Sequence, residues 1–208
     1  MRTRVKICGL TRKEDIEAAV SAGADAVGLV FYEPSPRNVS IETAATLATH
    51  VPAFVTIVGL FVDADRDFVE TVLSKVRIDL LQFHGNEPVA FCEQFQRPYI
   101  KAIRVAENTD ITAAATEYSS ARGLLLDSYQ KGIPGGTGET FNWSLIPAQL
   151  DLPVILAGGL NASNVVDAIT TVQPYALDVS GGVEQSKGIK DKTKINAFIK
   201  EVAGVDRS

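Results

Sequence analysis

The sequence predicts an α/β fold, a single-domain (β/α)8 barrel of the TIM-barrel type spanning residues 1–208. Three observations carry that prediction. Short β-rich apolar runs alternate with helix-period segments from one end of the chain to the other, which implies parallel strands joined by right-handed crossovers. Eight such units in 208 residues average 26 each, which leaves room only for short connections. After the first run stands Gly9-Leu10-Thr11 rather than the G-x-G-x-x-G of a doubly wound nucleotide-binding sheet, so a closed barrel fits better than an open one.

The elements follow in order. The first strand, 5–8, ends in a thiol, and Thr11-Arg12-Lys13-Glu14 has the spacing of a capping box ahead of Ile16, Ala19 and Val20. The second, 26–31, leads through "EPSPRNVS" to Ser40, which precedes "IETAATLATHV". The third, 55–62, is followed by Asp65 and "RDFVETVLSKV". The fourth, 80–83, leads to Asn86 as the cap of "EPVAFCEQF", with Pro88 in the first turn, where a missing N–H does no harm. The fifth, 99–105, precedes an Ala-rich helical region over 109–121. The sixth, 123–127, runs into the glycine-rich "SYQKGIPGGTGETFNW" and a short helix opened by Ser144. The seventh, 153–157, passes through Asn161 into "ASNVVDAITTV", and the eighth, 176–180, through Asp191 into "KTKINAFIKEV". "AVGLVF" and "IVGLFV" are similar enough to suggest a repeated βα unit.

Bulk properties narrow the function classes. A net charge of −5 with no Lys/Arg-rich block argues against nucleic acid or an anionic membrane as the main partner, while leaving an anionic small molecule open. No apolar run is long enough to span a bilayer, and Met1-Arg2-Thr3-Arg4 does not read as a signal peptide. Cys8 and Cys92 are the only cysteines, so reduced thiols in a cytoplasmic setting are expected rather than a disulfide framework. Cys92, among Val89, Phe91 and Phe95, reads as inert packing. His50 and His84 are the only histidines, and no metal-ligand cluster is apparent.

In a barrel of this kind the working groups sit at the C-terminal ends of the strands. Alternation puts Arg4, Lys6 and Cys8 on the inner face of the first strand, with Cys8 at the mouth. Asp127 follows Leu125 to the mouth of the sixth strand, Gln82 and His84 share the inner face of the fourth, and Asp178 lies just below Ser180 in the eighth. A cysteine ending a strand is most often a small buried hydrophobe, and a lone Asp or His most often a turn or hydrogen-bonding residue. Convergence changes that: strands one and six are three steps apart around the ring, so Cys8 and Asp127 face each other, an arrangement suited to a base and an acid acting on different atoms of one substrate. Gly158-Gly159 after strand seven and Ser180-Gly181-Gly182 after strand eight form the pair of loops that commonly hold phosphate. The loop with Gly132, Gly135, Gly136 and Gly138 reads equally well as a flap over that phosphate or as a surface loop. Arg37, on a proline-stiffened loop, is either a solvated arginine or a bidentate carboxylate holder.

The fragments "KICGLT", "GADAVGLVFY", "SPRNVS", "VGLFV", "LLQFHGNE", "LLLDS", "GGTGETFNW", "LAGGLNASNV" and "LDVSGGVE", in this order along almost the whole chain, resemble the phosphoribosylanthranilate isomerase family of tryptophan biosynthesis. The resemblance implies an Amadori rearrangement of N-(5-phosphoribosyl)anthranilate, needing no cofactor and no metal. It further implies Cys8 as base, Asp127 as acid and Arg37 as holder of the anthranilate carboxylate. The phosphate would lie on Gly158, Gly159, Ser180, Gly181, Gly182 and Gly136, with Asp178, Gln82 and His84 in support. The partner would be the small phosphosugar substrate, with the chain a monomer or homodimer. Asn142 stands where the family commonly has aspartate, and Gly181 where a second serine is common. As a base Cys8 must lose its proton, and the adjoining helix N-terminus and Lys6 are expected to ease that loss. Two rivals fit the same barrel: a Schiff-base aldolase on Lys101 or Lys6, and a phosphosugar-binding barrel with no catalysis.

Overall fold

The computed structural model describes residues 2–128 and 141–205, and within it eight parallel strands close on themselves in chain order. They are β1 (Arg4–Cys8), β2 (Ala26–Phe31), β3 (Thr56–Phe61), β4 (Leu80–Phe83), β5 (Tyr99–Val105), β6 (Leu124–Ser128), β7 (Val154–Leu156) and β8 (Ala176–Val179). Each boundary falls within one residue of the sequence expectation, because period-two alternation and the glycines at the strand ends mark them locally.

The helices are α1 (Lys13–Ala22), α2 (Ile41–Ala48), α3 (Arg66–Lys75), α4 (Val89–Cys92), α5 (Ile111–Glu117), α6 (Val165–Val172) and α7 (Lys192–Val205). Between β6 and β7 the described residues contain only a 3-10 turn, Trp143–Leu145, which Asn142 caps through Ser144 N–H; the helix expected to open at Ser144 is not formed there. Ser40 caps α2 through Thr43 N–H at 3.1 Å, and Asp191 receives Thr193 and Lys194 N–H at the start of α7.

Two caps differ. Thr11 does not cap α1: its hydroxyl donates to the Gly188 carbonyl at 2.6 Å, and Arg12, at the N-cap, instead pairs with Asp15. Asn86 does not cap α4. Pro88 holds the N-cap position, and Asn86 N–H donates to Asp63 across the loop. At Thr11 and Asn86 a tertiary or loop partner engages the residue in place of the local bond that spacing suggests. Ahead of α6, Asn161 folds into a local turn, its oxygen accepting Ser163 N–H, and Asn164 takes the N-cap.

Alternation divides the apolar side chains into two shells. Ile7, Leu29, Phe31, Ile57, Phe61, Leu81, Phe83, Leu124, Leu126 and Leu177 face outward and bury against the helices. Each fully buried side chain of this size contributes about 1.5–3 kcal/mol. Inside, Ile100, Ala102, Leu125, Ile155, Ala157 and Ala176 fill one part of the barrel, and Cys8 packs with Val30 and Leu60 in another.

The two similar strings are not equivalent units. β2 pairs with β3 as Gly28↔Val58 and Leu29↔Gly59, one residue out of step with the string match. A one-residue slip exchanges the two faces of a strand. Gly28 therefore faces inward, where a Cβ would strike the Cys8 sulfur at 2.8 Å, whereas Gly59 faces the helix layer against Ile78.

After β8 the chain makes a 3-10 turn (Gly181–Val183) and a small antiparallel hairpin, β9 (Glu184–Ser186) with β10 (Ile189–Lys190), that the alternation of strand and helix does not announce. The hairpin ties β8 to the loop carrying Arg37, since the Gly188 backbone passes so close to the Pro36 carbonyl that a Cβ there would lie 2.8 Å away.

Candidate active site

Ten of the residues singled out in the sequence line one depression at the C-terminal end of the barrel: Cys8, Arg37, His84, Asp127, Gly158, Gly159, Asp178, Ser180, Gly181 and Gly182. Gln82 lies beneath it, fully buried, and Gly136, with the loop around it, is outside the described residues. Val30, Tyr32, Leu60 and Val62 give the depression an apolar wall on the β2–β3 side.

Cys8 closes β1 and is buried. Beneath it the Lys6 ammonium donates to Asp178 Oδ2 and Gln82 Oε1, each at 2.9 Å. Burial draws this ammonium down, but Asp178 and Cys8 raise it further than burial lowers it, so its net shift is upward and Lys6 is a cation. The thiol is also shifted up: burial is the largest cause and the Asp178 carboxylate adds to it, with Lys6 and Lys190 opposing. This reverses the sequence expectation. The helix that was to ease ionisation begins only at Lys13, and Lys6 is committed to Asp178 and Gln82.

Asp127 is buried on β6 opposite Arg104 of β5. Its Oδ1 accepts Ser128 N–H at 2.8 Å, and its Oδ2 stands 3.2 Å from His84 Nε2. Gly158, at φ +83, folds over this carboxyl; a Cβ there would lie 2.5 Å from Ser128 N and 2.8 Å from Asp127 Oδ1, so only glycine fits. His84 Nδ1 meets the Gln82 amide nitrogen at 2.9 Å, and Arg104 donates to the His84 carbonyl at 3.1 Å. A polar chain therefore runs under the floor from Asp178 through Lys6, Gln82 and His84 to Asp127.

Arg37 has a partner that sequence reasoning missed. Its Nε and Nη2 donate to the two oxygens of Glu184 at 2.7 and 2.8 Å, a bidentate pair across 147 residues of chain. Arg37 passes over Gly9, which sits at φ +75; a Cβ at Gly9 would come 2.6 Å from Arg37 Cδ. Glu184 also accepts Lys190 Nζ at 2.9 Å, and Lys190 in turn donates to the carbonyl and hydroxyl of Ser180. Burial pushes the Glu184 carboxyl up, but Arg37 and Lys190 pull harder, leaving it below the usual carboxylate range. The hydrogen bond from Glu184 correspondingly raises Arg37. Because the Nε/Nη2 edge of the guanidinium is occupied by Glu184, the Nη1/Nη2 edge is the one left to bind a planar anion.

Ser180 donates its hydroxyl proton to the Cys8 carbonyl at 3.0 Å, so the side chain ties β8 to β1 and has no proton left for a ligand. Any anion at this loop would rest on backbone N–H groups. Among the described residues no group of His, Cys, Asp and Glu is arranged to hold a metal ion. Lys101 faces away from the barrel interior, donating to Glu87 Oε2 and the Gly85 carbonyl at 2.7 Å, so it is not at the mouth. Cys92, the last residue of α4, is fully buried, and burial drives its thiol up to about 12.

Known proteins resemble this chain over nearly its whole length. The chain is 60% identical over 199 residues to the N-(5′-phosphoribosyl)anthranilate isomerase of Pseudomonas fluorescens (strain SBW25), covering 96% of this chain and 95% of that one. Among solved structures, the phosphoribosyl anthranilate isomerase of Thermotoga maritima superimposes with a TM-score of 0.90 at 41% identity, covering 97% of this chain and 99% of the other. An isomerase structure in complex with reduced 1-(o-carboxyphenylamino)-1-deoxyribulose 5-phosphate matches with a TM-score of 0.87 at 39% identity, covering 97% and 99% of the two chains. The family model for N-(5′-phosphoribosyl)anthranilate isomerase matches residues 5–201, from the first barrel strand into the last helix, and the chain belongs to that family.

Proposed function

We propose that this chain rearranges N-(5′-phosphoribosyl)anthranilate to 1-(2-carboxyphenylamino)-1-deoxyribulose 5-phosphate, an Amadori isomerisation in tryptophan biosynthesis, with Asp127 as acid and Cys8 as base. The observation that carries this reading is the shared depression. Cys8 and Asp127, from strands three steps apart around the ring, both open into it beside the paired glycine loops. Asp127 protonates the ribose ring oxygen, the C1′–O bond breaks, and the nitrogen lone pair forms the Schiff base. Cys8 then takes the C2′ proton and the electron pair flows to nitrogen, giving an enolamine that tautomerises to the ketone. The substrate nitrogen is the electron sink, so the sequence of steps needs no cofactor.

The proposed binding frame follows from the same wall and loops. The aromatic ring packs on Val30, Tyr32, Leu60 and Val62, its carboxylate takes the Nη1/Nη2 edge of Arg37, and the phosphate rests on backbone N–H groups of the two glycine loops, 158–159 and 180–182. Asp178, Gln82 and His84 support the acid and base from below. A base role requires a reduced Cys8, which suits the cytoplasm. Among the described residues no helix is long and apolar enough to cross a membrane. One Thermotoga maritima structure is of monomers made from a dimeric isomerase; for this chain a monomer or homodimer is expected, and sedimentation decides between them.

The aldolase rival loses its support, since Lys101 points out of the barrel and Lys6 is a buried, paired cation. Loss of anthranilate fluorescence on mixing the phosphoribosyl substrate with protein tests the proposal. Cys8→Ser and Asp127→Asn are each expected to cut kcat by about 10²–10⁴ with the fold intact. Near-normal turnover in either variant removes that residue from the mechanism, and no turnover in the unaltered protein leaves only the binding rival.

A further inference from the structure

The polar chain under the floor carries information about one proton. Lys6 Nζ is 2.9 Å from the Gln82 side-chain oxygen. An ammonium can only donate, so the Gln82 oxygen must face Lys6 and the amide NH2 must face the other way. There it meets His84 Nδ1 at 2.9 Å. An NH2 group can only donate, so Nδ1 must be the bare nitrogen and the imidazole proton must sit on Nε2. The Lys6 ammonium is itself held by Asp178 at 2.9 Å, so the orientation is fixed from outside the Gln82–His84 pair.

The Nε2–H that results is distinctive. Nε2 is buried and has no hydrogen-bond partner among the described residues. Asp127 Oδ2 approaches it to 3.2 Å without the alignment of a hydrogen bond, and His84 and Asp127 both line the depression. A buried unsatisfied donor is costly, so one held in place beside a reactive carboxyl calls for an explanation.

We propose that Gln82, oriented by Lys6, is a positioning residue that holds His84 as the Nε2–H tautomer, so that His84 donates a hydrogen bond to the same substrate oxygen that Asp127 protonates. The proposal deepens the isomerase reading and rests on it for the identity of that oxygen. The tautomer itself does not depend on that reading.

The chain has only two histidines, so long-range ¹H–¹⁵N correlation spectra of the ¹⁵N-labelled protein report His84 directly, with His50→Gln assigning the other signal. The expected pattern for His84 is an unprotonated Nδ1 and a protonated Nε2. In Gln82→Glu the carboxylate accepts from Nδ1, so that nitrogen becomes protonated and kcat falls about 10-fold or more while KM changes little. In Gln82→Met, which can neither donate nor accept, the single-tautomer pattern is lost and kcat falls similarly. In a His84→Gln background Gln82→Met has no further effect on kcat. A wild-type His84 that carries its proton on Nδ1, or on both nitrogens, overturns the assignment with no variant needed. Full kcat in a Gln82→Met protein that has lost the pattern overturns the catalytic role. If the Nε2–H pattern is present and responds to Gln82→Glu while the wild-type protein lacks isomerase activity, the tautomer assignment stands and the isomerase reading fails.

Discussion

In the proposed binding frame Arg37 holds the substrate carboxylate, which requires an aimed guanidinium, and the bidentate pair with Glu184 supplies that aim. Glu184→Gln tests this. The substitution keeps the size of the side chain, removes the charge, and replaces one acceptor oxygen with an NH2. That NH2 must then face Arg37 Nε, Arg37 Nη2 or Lys190 Nζ, all of which are donors at 2.7–2.9 Å. Donor meets donor, and the fork opens. The substrate must then order a long side chain that was previously fixed, at about 1–2 kcal/mol. KM should therefore rise roughly 5- to 30-fold, with kcat little changed. Arg37→Ala removes the contact itself, two charge-assisted hydrogen bonds worth about 1.5–3 kcal/mol each, and should raise KM by more than about 100-fold. The decisive measurement is the double mutant, read by the fluorescence assay over a range of substrate concentrations. If Glu184 acts through Arg37, Glu184→Gln adds nothing once Arg37 is alanine, and the coupling energy equals its whole single-mutant effect. The same increase in KM with and without Arg37, or a loss expressed in kcat alone, would refute the reasoning.

Three further outcomes are expected. Burial and Asp178 raise the Cys8 thiol, so the free protein carries more of the basic thiolate as pH rises; kcat/KM should still be climbing above the ordinary thiol value of about 8.5, and Asp178→Asn should move the climb to lower pH. A profile already flat at neutral pH contradicts this. The Cys92 thiol is raised to about 12, so its contribution to stability is fully present below the unfolded value and is lost as pH rises toward the folded one. Unfolding free energies from denaturant curves above about pH 9 should fall by up to about 1.4 kcal/mol per pH unit more in the unaltered protein than in Cys92→Val, and parallel pH dependences would count against it. Lys101→Met strands the buried Glu87 carboxylate and should cost about 3–5 kcal/mol of stability with KM unchanged. Adding Glu87→Gln should recover most of that; a loss below about 1 kcal/mol contradicts the pairing.

What the sequence reveals is governed by how local the cause is. Strand identity and facing depend on a residue's immediate neighbours, so Cys8, Asp127, Gln82, His84 and Asp178 can be placed at one end of a barrel from alternation alone. Capping depends on who else competes for the group. Thr11 and Glu14 have the right spacing, but the Gly188 carbonyl, brought in by a hairpin near the far end of the chain, takes the hydroxyl. Glu184 is harder still. It reads as one more loop acid, and nothing within many residues of either member signals its pairing with Arg37. A signal for Lys6 was available: a charge that alternation turns inward must find a counter-charge on another inward position, and Asp178 was already among them.

The raised thiol follows from that same pairing and bears on how the reaction is timed. Lys6 stands close enough to help Cys8 ionise, but Asp178, which neutralises Lys6, is also near enough to oppose the thiolate. In the empty protein the sulfur therefore holds its proton more tightly than an ordinary thiol does. The proposed first step changes this locally. Opening of the ribose leaves a protonated Schiff base, a positive charge next to the C2′ carbon whose proton Cys8 takes, and a nearby cation favours the thiolate. The base would then become effective only after the acid has acted. That order has a consequence for variants: removing Asp127 should suppress exchange of the C2′ proton with solvent as strongly as removing Cys8, because without ring opening there is no cation to activate the sulfur. An Asp127→Asn protein that still exchanged the C2′ proton at the unaltered rate would separate the two steps and defeat this ordering.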